Sequence, residues 1–350
     1  MPCPDPPWLD GALADRAAHL SPSDRAGALA LARELTGVER GLGHGGAWDH
    51  LATLATLGSV DLTVARTVEP HLDALAILHQ AGPLDLSPVG ADASSTRGVY
   101  AAHAPGARLD ARPAGTGNED GWVLDGTKPW CSLAADLSHA IITAHTGPTS
   151  RRAFAIALTD GVSPLDGAWV ARGLVDVPSG GLRLDGVPAV AVGNDEWYLS
   201  RPGFAWGGIG VAAVWFGAAH ALRATLVDSL RRREPDQIAL MHVGHLDTVL
   251  HAAELSLRHA AVAIDGGAAE GGAGAVLAAR VRAVVAHAAE TCLTVLGHAL
   301  GPGPLTADEV HARRVADLTV YVRQHHAERD LAALGSAVLA LPDEGSGSSA

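Results

Sequence analysis

Two histidines and two carboxylates stand close together near the end of the chain, in the segment HHAERD at 325–330. On a helix, His325 and Glu328 share one face, and so do His326 and Asp330, because residues three or four apart are neighbours. An imidazole oriented by a carboxylate can act as an acid or base near neutral pH. The alternative is a polar, salt-bridged outer face of a helix bundle.

A second group of polar residues on one stretch has the composition of a metal site but not its spacing. His242, His245, Asp247 and His251 follow one another at helical intervals. His245 and His251 lie on different faces of a helix, and no cysteine joins them, so we expect no metal ion here.

Charge and cysteine content exclude some functions. The 350 residues include 25 Lys+Arg and 38 Asp+Glu, for a net charge of −13. A nucleic-acid partner requires a basic face, so none is expected. The three cysteines cannot form a disulfide framework, which is typical of a reducing compartment. The proline-rich N-terminus has no basic region of a signal peptide, and we expect a cytoplasmic protein.

One uncharged stretch, Gly203 to Ala219, resembles a membrane span in composition. It is shorter than the about 20 apolar residues that a spanning helix needs. It is also interrupted by glycines and runs into His220 and Arg223. We therefore expect a buried helix of a bundle and no membrane partner.

The chain divides into regions with different residue patterns, and the elements formed by these regions must position the candidate functional residues. Residues 1–88 have helical spacing, 89–199 have short strand-like runs between turn residues, and 200–341 are helical again. Residues 342–350 are rich in Gly and Ser, and we expect a disordered tail. Breaks in the last helical region predict an antiparallel four-helix bundle with helices at about 204–233, 236–265, 271–300 and 307–339.

Within the β region, segment 122–130 is predicted to form a hairpin with Asp125-Gly126 at its turn. Segment 180–192 repeats this pattern with Asp185-Gly186, and 139–145 and 153–158 are predicted as buried strands. Lys128, the only lysine of the chain, lies in the first hairpin. Coding bias is an adequate explanation for the abundance of arginine but not for the presence of this single lysine, which suggests a role for Lys128. The alternative to such a role is a solvent-facing turn residue.

Four segments, in this order, resemble the acyl-CoA dehydrogenase family of flavoproteins. They are the strand motif GWVLDGTKPWCS at 121–132, the helix from Arg201-Pro202 to Arg233, the glycine loop 296–303, and the helix start at 313–317. The resemblance covers roughly residues 40 to 340. It implies an N-terminal helical domain, a middle β-barrel or sandwich domain, and a C-terminal four-helix bundle.

The resemblance also implies FAD as cofactor. Trp130 would provide a flat wall for the flavin ring, Ser132 a hydrogen-bond donor, and Arg233 a cation for the pyrophosphate. Gly297, Gly301 and Gly303 would let the backbone approach the adenine half. In the family this loop comes from a neighbouring subunit, which implies a homodimer or homotetramer. The structural alternatives are a core aromatic for Trp130, a turn residue for Ser132, a solvated helix terminus for Arg233 and a helix end for the glycines.

The chain departs from the family at its catalytic base. The resemblance puts a glutamate at one of two places, which here hold Arg323 and Gly207. Arginine cannot act as a base near neutral pH, and glycine has no side chain. The loop before the strand motif, 100–109, also lacks the usual acidic and hydroxyl residues and contains His103. Replacement candidates for the base are His325, Glu328 and His103.

Three functions follow from the resemblance and its departures. The first is a FAD-binding oxidoreductase of acyl-CoA dehydrogenase type that acts on an acyl thioester or a related small molecule. The second is a flavin-dependent monooxygenase on the same fold, which needs no carboxylate beside a thioester. The third is a degenerate, dimerising helical protein that has lost flavin and catalysis.

Overall fold

The computed structural model describes residues 6–115, 121–167, 169–232 and 234–340. The chain is mostly helical with a β-rich region between two sets of helices, as the sequence predicts. The predicted tail, 342–350, lies outside the described residues. The helices are α1 Gly11–Ala18, α2 Arg25–Glu34, α3 Ala47–Val60, α4 Leu62–Ala81, α5 Trp197–Ser200, α6 Pro202–Arg231, α7 Gln237–Asp265, α8 Gly271–Leu300, α9 Gly303–Ala307, α10 Glu309–Tyr321 and α11 Glu328–Leu339.

The N-terminal helix α3 packs directly against α6 of the bundle. A Cβ added to Gly217 of α6 would overlap the carbonyl oxygen of Ala55 on α3, and one added to Gly58 of α3 would overlap that of Val214. The backbones of α3 and α6 therefore touch where they cross, which only glycine permits. The predicted boundaries at 88 and 199 fall in the 3-10 turn Ser87–Val89 and in α5.

The described residues of the β region form seven strands, five of which pair in a closed circuit. β4 pairs with β2, β2 with β3, β3 with β7, β7 with β5, and β5 again with β4. β1 pairs with β4 and β6 with β7 at the sides of this circuit. Buried side chains such as Leu124, Phe154 and Leu184 fill its interior. The strands are β1 Arg97–Tyr100, β2 Leu109–Pro113, β3 Trp122–Ser132, β4 His139–His145, β5 Arg151–Ala157, β6 Val162–Pro164 and β7 Ser179–Val192.

The two predicted Asp-Gly hairpin turns are wrong. Asp125-Gly126 lies inside β3 and Asp185-Gly186 inside β7, and the two strands pair with each other on both sides of these residues. A bulge there adds one residue to β7, and the Gly186 amide donates to the Asp125 carboxylate at 2.7 Å. Positive φ at both glycines thus serves strand curvature rather than chain reversal.

The helical bundle agrees with prediction in its first three members, α6, α7 and α8. The single fourth helix predicted over 307–339 is wrong, because the chain forms α9, α10, a 3-10 turn at Val322–Gln324 and α11. The Gln324 carbonyl accepts a hydrogen bond from Arg282 at 2.9 Å, where a continuous helix would use the amide of residue 328. Ala327 also has a positive φ of 48°, which interrupts helical geometry.

By length and composition, α6 and α8 could each cross a membrane. In their most apolar windows, 67% of α6 and 33% of α8 is buried inside the structure. Trp215 and Phe216 of α6 are among these core residues. The burial of α6 is what the sequence predicts for 203–219, a core helix.

Candidate functional site between the β region and the bundle

Trp130 stands on the outside of the β region at a second bulge. Between Lys128 and Cys131 the register with β7 shifts, so that β3 has one extra residue. Trp130 has a left-handed φ of +58° and is 57% exposed. The alternative of a core aromatic is therefore wrong, and the bulge holds a flat apolar ring at the surface.

Ser132, at the end of β3, belongs to a chain of hydrogen bonds. Its Oγ accepts from Arg66 Nη2 at 3.3 Å and lies 2.7 Å from Ser179 Oγ on β7. Because Ser179 donates to the Val177 carbonyl, Ser132 is the donor to Ser179. The Tyr100 hydroxyl donates to the Ser132 carbonyl at 3.0 Å. The Ser132 hydroxyl is thus held in a fixed orientation.

Arg66 connects this hydroxyl to the helices. Its Nη1 donates to Glu69 Oε2 at 3.3 Å, and its guanidinium carbon lies 5.8 Å from the centre of the Tyr321 ring. The helix that carries both residues, α4, begins at Asp61, whose carboxylate accepts from the Thr63 and Val64 amides. Helical spacing puts positions 66, 69 and 73 on one face of α4.

That face of α4 borders a cavity of about 570 Å³, with α6, α8 and α11 as its other walls. Charged and polar side chains line part of it: Glu69, Asp73, Arg201, Arg282, Gln324, His325, His326 and Asp330. The rest of the lining is largely apolar: Phe204, Ala205, Val211, Ala275, Ala278, Ala279 and Ala333. An amphipathic small molecule matches this division.

Glu69, like Asp73, is one of the cavity carboxyls whose ionisation is opposed by burial. Burial raises its pKa from 4.5 to about 7, although the Arg66 charge acts in the opposite direction. The neighbouring Tyr321 hydroxyl, whose own pKa is raised mainly by burial, faces Glu69 and favours its charged form. A carboxyl that titrates near neutral pH can both accept and return a proton.

The two positions that the family resemblance gives for a base lie in different surroundings. Arg323 forms a surface ion pair with Glu290, away from the cavity lining. Gly207 does line the cavity, and a Cβ there would lie 3.0 Å from Asp73 Oδ1. Burial raises the pKa of Asp73, which lies 3.8 Å from Arg201 Nη2. The carboxyl next to Gly207 in the cavity therefore belongs to α4, and the residues of α6 that line the cavity include no carboxyl.

Of the predicted bases, His325 lines the cavity and Glu328 does not. The helical face predicted to join them is wrong, because neither His325 nor His326 is part of a helix. His325 Nε2 is buried without a hydrogen-bond partner in the structure, and burial lowers the pKa of the imidazole. His326 does contact Asp330, whose carboxylate accepts from its amide at 3.0 Å and from its Nδ1 at 3.2 Å.

His103 belongs to a separate cationic cluster on the β region, outside the cavity lining. Its Nε2 bonds to Arg151, and its ring centre lies 6.0 Å from that of His145. Lys128 completes the cluster: it is 2% exposed, and its Nζ donates to the Thr143 carbonyl at 2.7 Å and hydroxyl at 2.8 Å. Burial lowers the Lys128 pKa to about 8. The alternative of a solvent-facing turn residue is wrong.

The residues predicted to hold the adenine half do not border the cavity. Gly297 lies in the last turn of α8, Gly301 caps that helix and Gly303 begins α9. Gly297 is about 22 Å along α8 from Arg282, at 1.5 Å per residue. A Cβ on any of these three glycines would have no neighbour within 4 Å. Arg233 lies outside the described residues.

Arg66, Glu69 and Asp73 are functional candidates that the sequence prediction missed. The signal was present: three charged residues at i, i+3 and i+7 on a helix that is otherwise apolar on that face. Pro70, inside the same helix, is a second signal, since it leaves the Arg66 carbonyl without its helical donor.

No protein-family model matches the sequence. A comparison with curated proteins likewise finds no match. Solved structures do resemble the fold. KijD3, in complex with FMN and dTDP-3-amino-2,3,6-trideoxy-4-keto-3-methyl-D-glucose, is 20% identical, with a TM-score of 0.78 over 96% of this chain and 95% of that one.

Two further structures show the same architecture. FMN-bound TdsC from Paenibacillus sp. A11-2 is 17% identical, with a TM-score of 0.74 over 94% of both chains. Butyryl-CoA dehydrogenase from Megasphaera elsdenii is 18% identical, with a TM-score of 0.74 over 95% of this chain and 90% of that one. Over nearly its whole length, therefore, this chain has the fold of the acyl-CoA dehydrogenases.

Proposed function

We propose that the protein is a flavin-dependent oxidoreductase that acts on a small amphipathic molecule, with an acyl thioester as the first candidate. The observation that carries the proposal is the position of Arg66. Its guanidinium contacts Ser132, on the face predicted to meet the flavin, and Glu69, at the cavity. Arg66 thus connects the surface proposed to bind the flavin with the cavity proposed to bind the substrate.

The residues on β3 fit a flavin ring. The exposed indole of Trp130 offers stacking, and two residues later the Ser132 hydroxyl, in contact with Arg66, offers hydrogen bonding near a positive charge. When bound, a flavin supplies a two-electron acceptor. Trp130 would lie against the ring, and a ring that accepts a hydrogen bond from Ser132 would compete with Ser179 for that proton.

The proposed form of the cofactor is FAD, as the family resemblance implies. Arg233 would hold its pyrophosphate, and Gly297, Gly301 and Gly303 of a second subunit would face its adenine half. FMN-bound neighbours of the same fold make FMN the other candidate. Heat extraction of the purified protein followed by mass spectrometry distinguishes the two, since only FAD contains AMP.

The cavity supports an acyl chain as substrate. Its alanine, valine and phenylalanine walls match an apolar chain, and Glu69, Arg282 and His325 would face the polar thioester. Arg282 is fixed by hydrogen bonds to the Gly208 and Gln324 carbonyls, both at 2.9 Å. It therefore offers positive charge without being free to move.

A specific observation favours the monooxygenase as a second candidate. Neither family position holds a carboxylate. One holds Gly207, and the other holds Arg323, which forms a surface ion pair with Glu290. Oxygenation by a reduced flavin does not need a carboxylate beside a thioester. Among the proteins with this fold, TdsC is described as a dibenzothiophene monooxygenase.

Spectroscopy and anaerobic reduction test these functions. We expect the purified protein to be yellow or to become so when reconstituted with FAD. Butyryl-, octanoyl- and palmitoyl-CoA are then added without oxygen, with free coenzyme A as control. Bleaching by an acyl-CoA supports the dehydrogenase. A flavin that none of them bleaches, but that hydroxylates indole once chemically reduced and exposed to oxygen, supports the monooxygenase. A protein that cannot bind flavin supports the non-catalytic alternative.

We also propose a homodimer or homotetramer. The open backbone at Gly297, Gly301 and Gly303 supports a neighbouring subunit at the end of α8. Exposed apolar side chains on α7, among them Ile238, Leu240 and Met241, offer surface for association. Light scattering on the eluting protein measures the mass directly, and a monomer at micromolar concentration would contradict the proposal.

A further inference from the structure

We propose that Glu69 is the base of this oxidoreductase, in place of the glutamate that the family positions lack. The proposal rests on the proposed function. Glu69 is 8% exposed, lines the cavity and shares the Arg66 guanidinium with Ser132. Among the cavity carboxylates, it is therefore the one connected to the surface predicted to bind flavin.

The step balances as follows. The carbon next to the thioester carbonyl releases its hydrogen as a proton, which a Glu69 carboxylate oxygen accepts to form a neutral acid. The adjacent carbon would release its hydrogen with the bonding electron pair, as hydride, to a flavin held at Trp130 and Ser132. A double bond forms between the two carbons, so the substrate loses two electrons and two hydrogens. Glu69 later returns its proton to water.

The other carboxylates are less suited to this role. Asp73 lies one helical turn further along α4, about 6 Å from Glu69 along the axis. Its cation is Arg201, at 3.8 Å, which hydrogen-bonds to Gln80 at 2.8 Å. The cation of Glu69 is instead Arg66, which contacts Ser132. Asp330 accepts hydrogen bonds from the amide and the Nδ1 of His326, and although burial opposes its ionisation, these bonds lower its pKa, so it is a weaker base.

Several elements contribute charged or titratable groups around Glu69. Within the described chain, Arg66 is the one cation that forms an ion pair with it, at 3.3 Å. The groups that act on its charge or share a cavity lining with it are Arg66 and Asp73 on α4, His50 on α3, Tyr198 on α5, Arg282 on α8, Tyr321 on α10, and Arg201, His325, His326 and Asp330 around the cavity.

These neighbours make Glu69 a base that functions near neutral pH. Burial opposes its ionisation and Arg66 favours it, and the balance puts the pKa at about 7. Below this pKa the carboxyl is protonated and cannot accept a proton. The rate of flavin reduction by an acyl-CoA should therefore rise with pH and level off above about 7.

The test compares Glu69→Gln and Glu69→Asp with Glu34→Gln, which removes a carboxylate from a surface ion pair. Anaerobic flavin reduction by butyryl-, octanoyl- and palmitoyl-CoA is measured between about pH 5 and pH 9, on both sides of the pKa. We expect Glu69→Gln to lower the rate by about 100-fold or more and to abolish the inflection. Glu69→Asp should retain an inflection at a reduced rate, and Glu34→Gln should behave as the unaltered protein.

A second readout does not depend on turnover. With [¹³C]glutamate labelling, a carboxyl resonance should titrate near pH 7 in the unaltered protein and in Glu34→Gln, and be absent from Glu69→Gln. Equal reduction rates in Glu69→Gln and the unaltered protein, or an inflection lost in Asp73→Asn instead, would overturn the assignment of the base. No resonance titrating near pH 7 would also overturn it. If no acyl-CoA reduces the flavin of the unaltered protein, the dehydrogenase function itself is wrong.

Discussion

Arg66 of α4 donates a hydrogen bond to the Oγ of Ser132 on β3 across 3.3 Å. This contact spans 66 positions of the sequence and joins the N-terminal helices to the β region. A change at either residue should therefore alter both the surface proposed to bind flavin and the electrostatic environment of Glu69, since the same guanidinium contacts both.

Replacing Trp130 by Ala should weaken flavin binding without harming the fold. The side chain is mostly exposed, so the free energy of unfolding of the flavin-free protein should change by no more than about 0.5 kcal/mol. Loss of an aromatic stacking partner should raise the Kd for flavin about tenfold. Fluorescence titration with FAD measures it. Leu255→Ala, an exposed apolar residue on α7, is the control, and equal affinities in the two variants would exclude Trp130 from the site.

Replacing Glu69 by Gln should change how stability depends on pH. The folded protein holds the Glu69 proton up to about pH 7, whereas the unfolded chain releases it near 4.5. The unaltered protein thus loses stability as pH rises from 4.5 to 7, and Glu69→Gln does not. The variant should gain about 3 kcal/mol relative to the unaltered protein across this window. Urea unfolding at several pH values measures the difference, and a constant offset would contradict the raised pKa.

Lys128 should affect the pH dependence of stability at higher pH than Glu69 does. Its amine loses its proton at about pH 8 in the folded protein and at 10.5 in the unfolded chain. Between these values the unfolded chain binds more protons, so stability rises with pH. Relative to Lys128→Met, the unaltered protein should gain about 3 kcal/mol from pH 8 to 10.5. Parallel curves for the two proteins would contradict the lowered pKa of Lys128.

The contact between α3 and α6 predicts a strong dependence on glycine. Gly217→Ala would put a methyl group into the Ala55 carbonyl, and we expect a loss of about 3 kcal/mol or more. Gly244→Ala on α7, where a Cβ meets nothing within 4 Å, should stabilise the protein by about 0.5–1 kcal/mol. Thermal unfolding of both variants compares them. Similar melting temperatures would mean that the helices can separate at little cost.

The order of helices and strands could be predicted because it depends on local periodicity. Uninterrupted apolar runs gave β4 and β5, and amphipathic blocks gave α6, α7 and α8. The Asp-Gly turns could not, since the same positive φ serves a tight turn and a bulge, and only the pairing of β3 with β7 decides between them. The break after α10 depends on Arg282, which is 42 residues from the carbonyl it holds.

The candidate site was harder to predict than the fold. The strand that carries Trp130 and Ser132 has a recognisable motif. Glu69 has none, because Arg66 and Glu69 have the spacing of an ordinary surface ion pair. What distinguishes them is burial against α10 and α8, which is created by tertiary packing. His325 was identified by its chemistry, but its partner depended on a helix that the chain does not form.

The helix α11 has no buried residue, although Asp330 and Ala333 form part of the cavity wall. The helix α6, which forms another wall of the cavity, is held in place because glycines bring its backbone into contact with that of α3. The helices α4, α6 and α8, which line the other walls of the cavity, each have buried residues. Displacing α11 would therefore expose no buried side chain of its own, whereas displacing α4, α6 or α8 would.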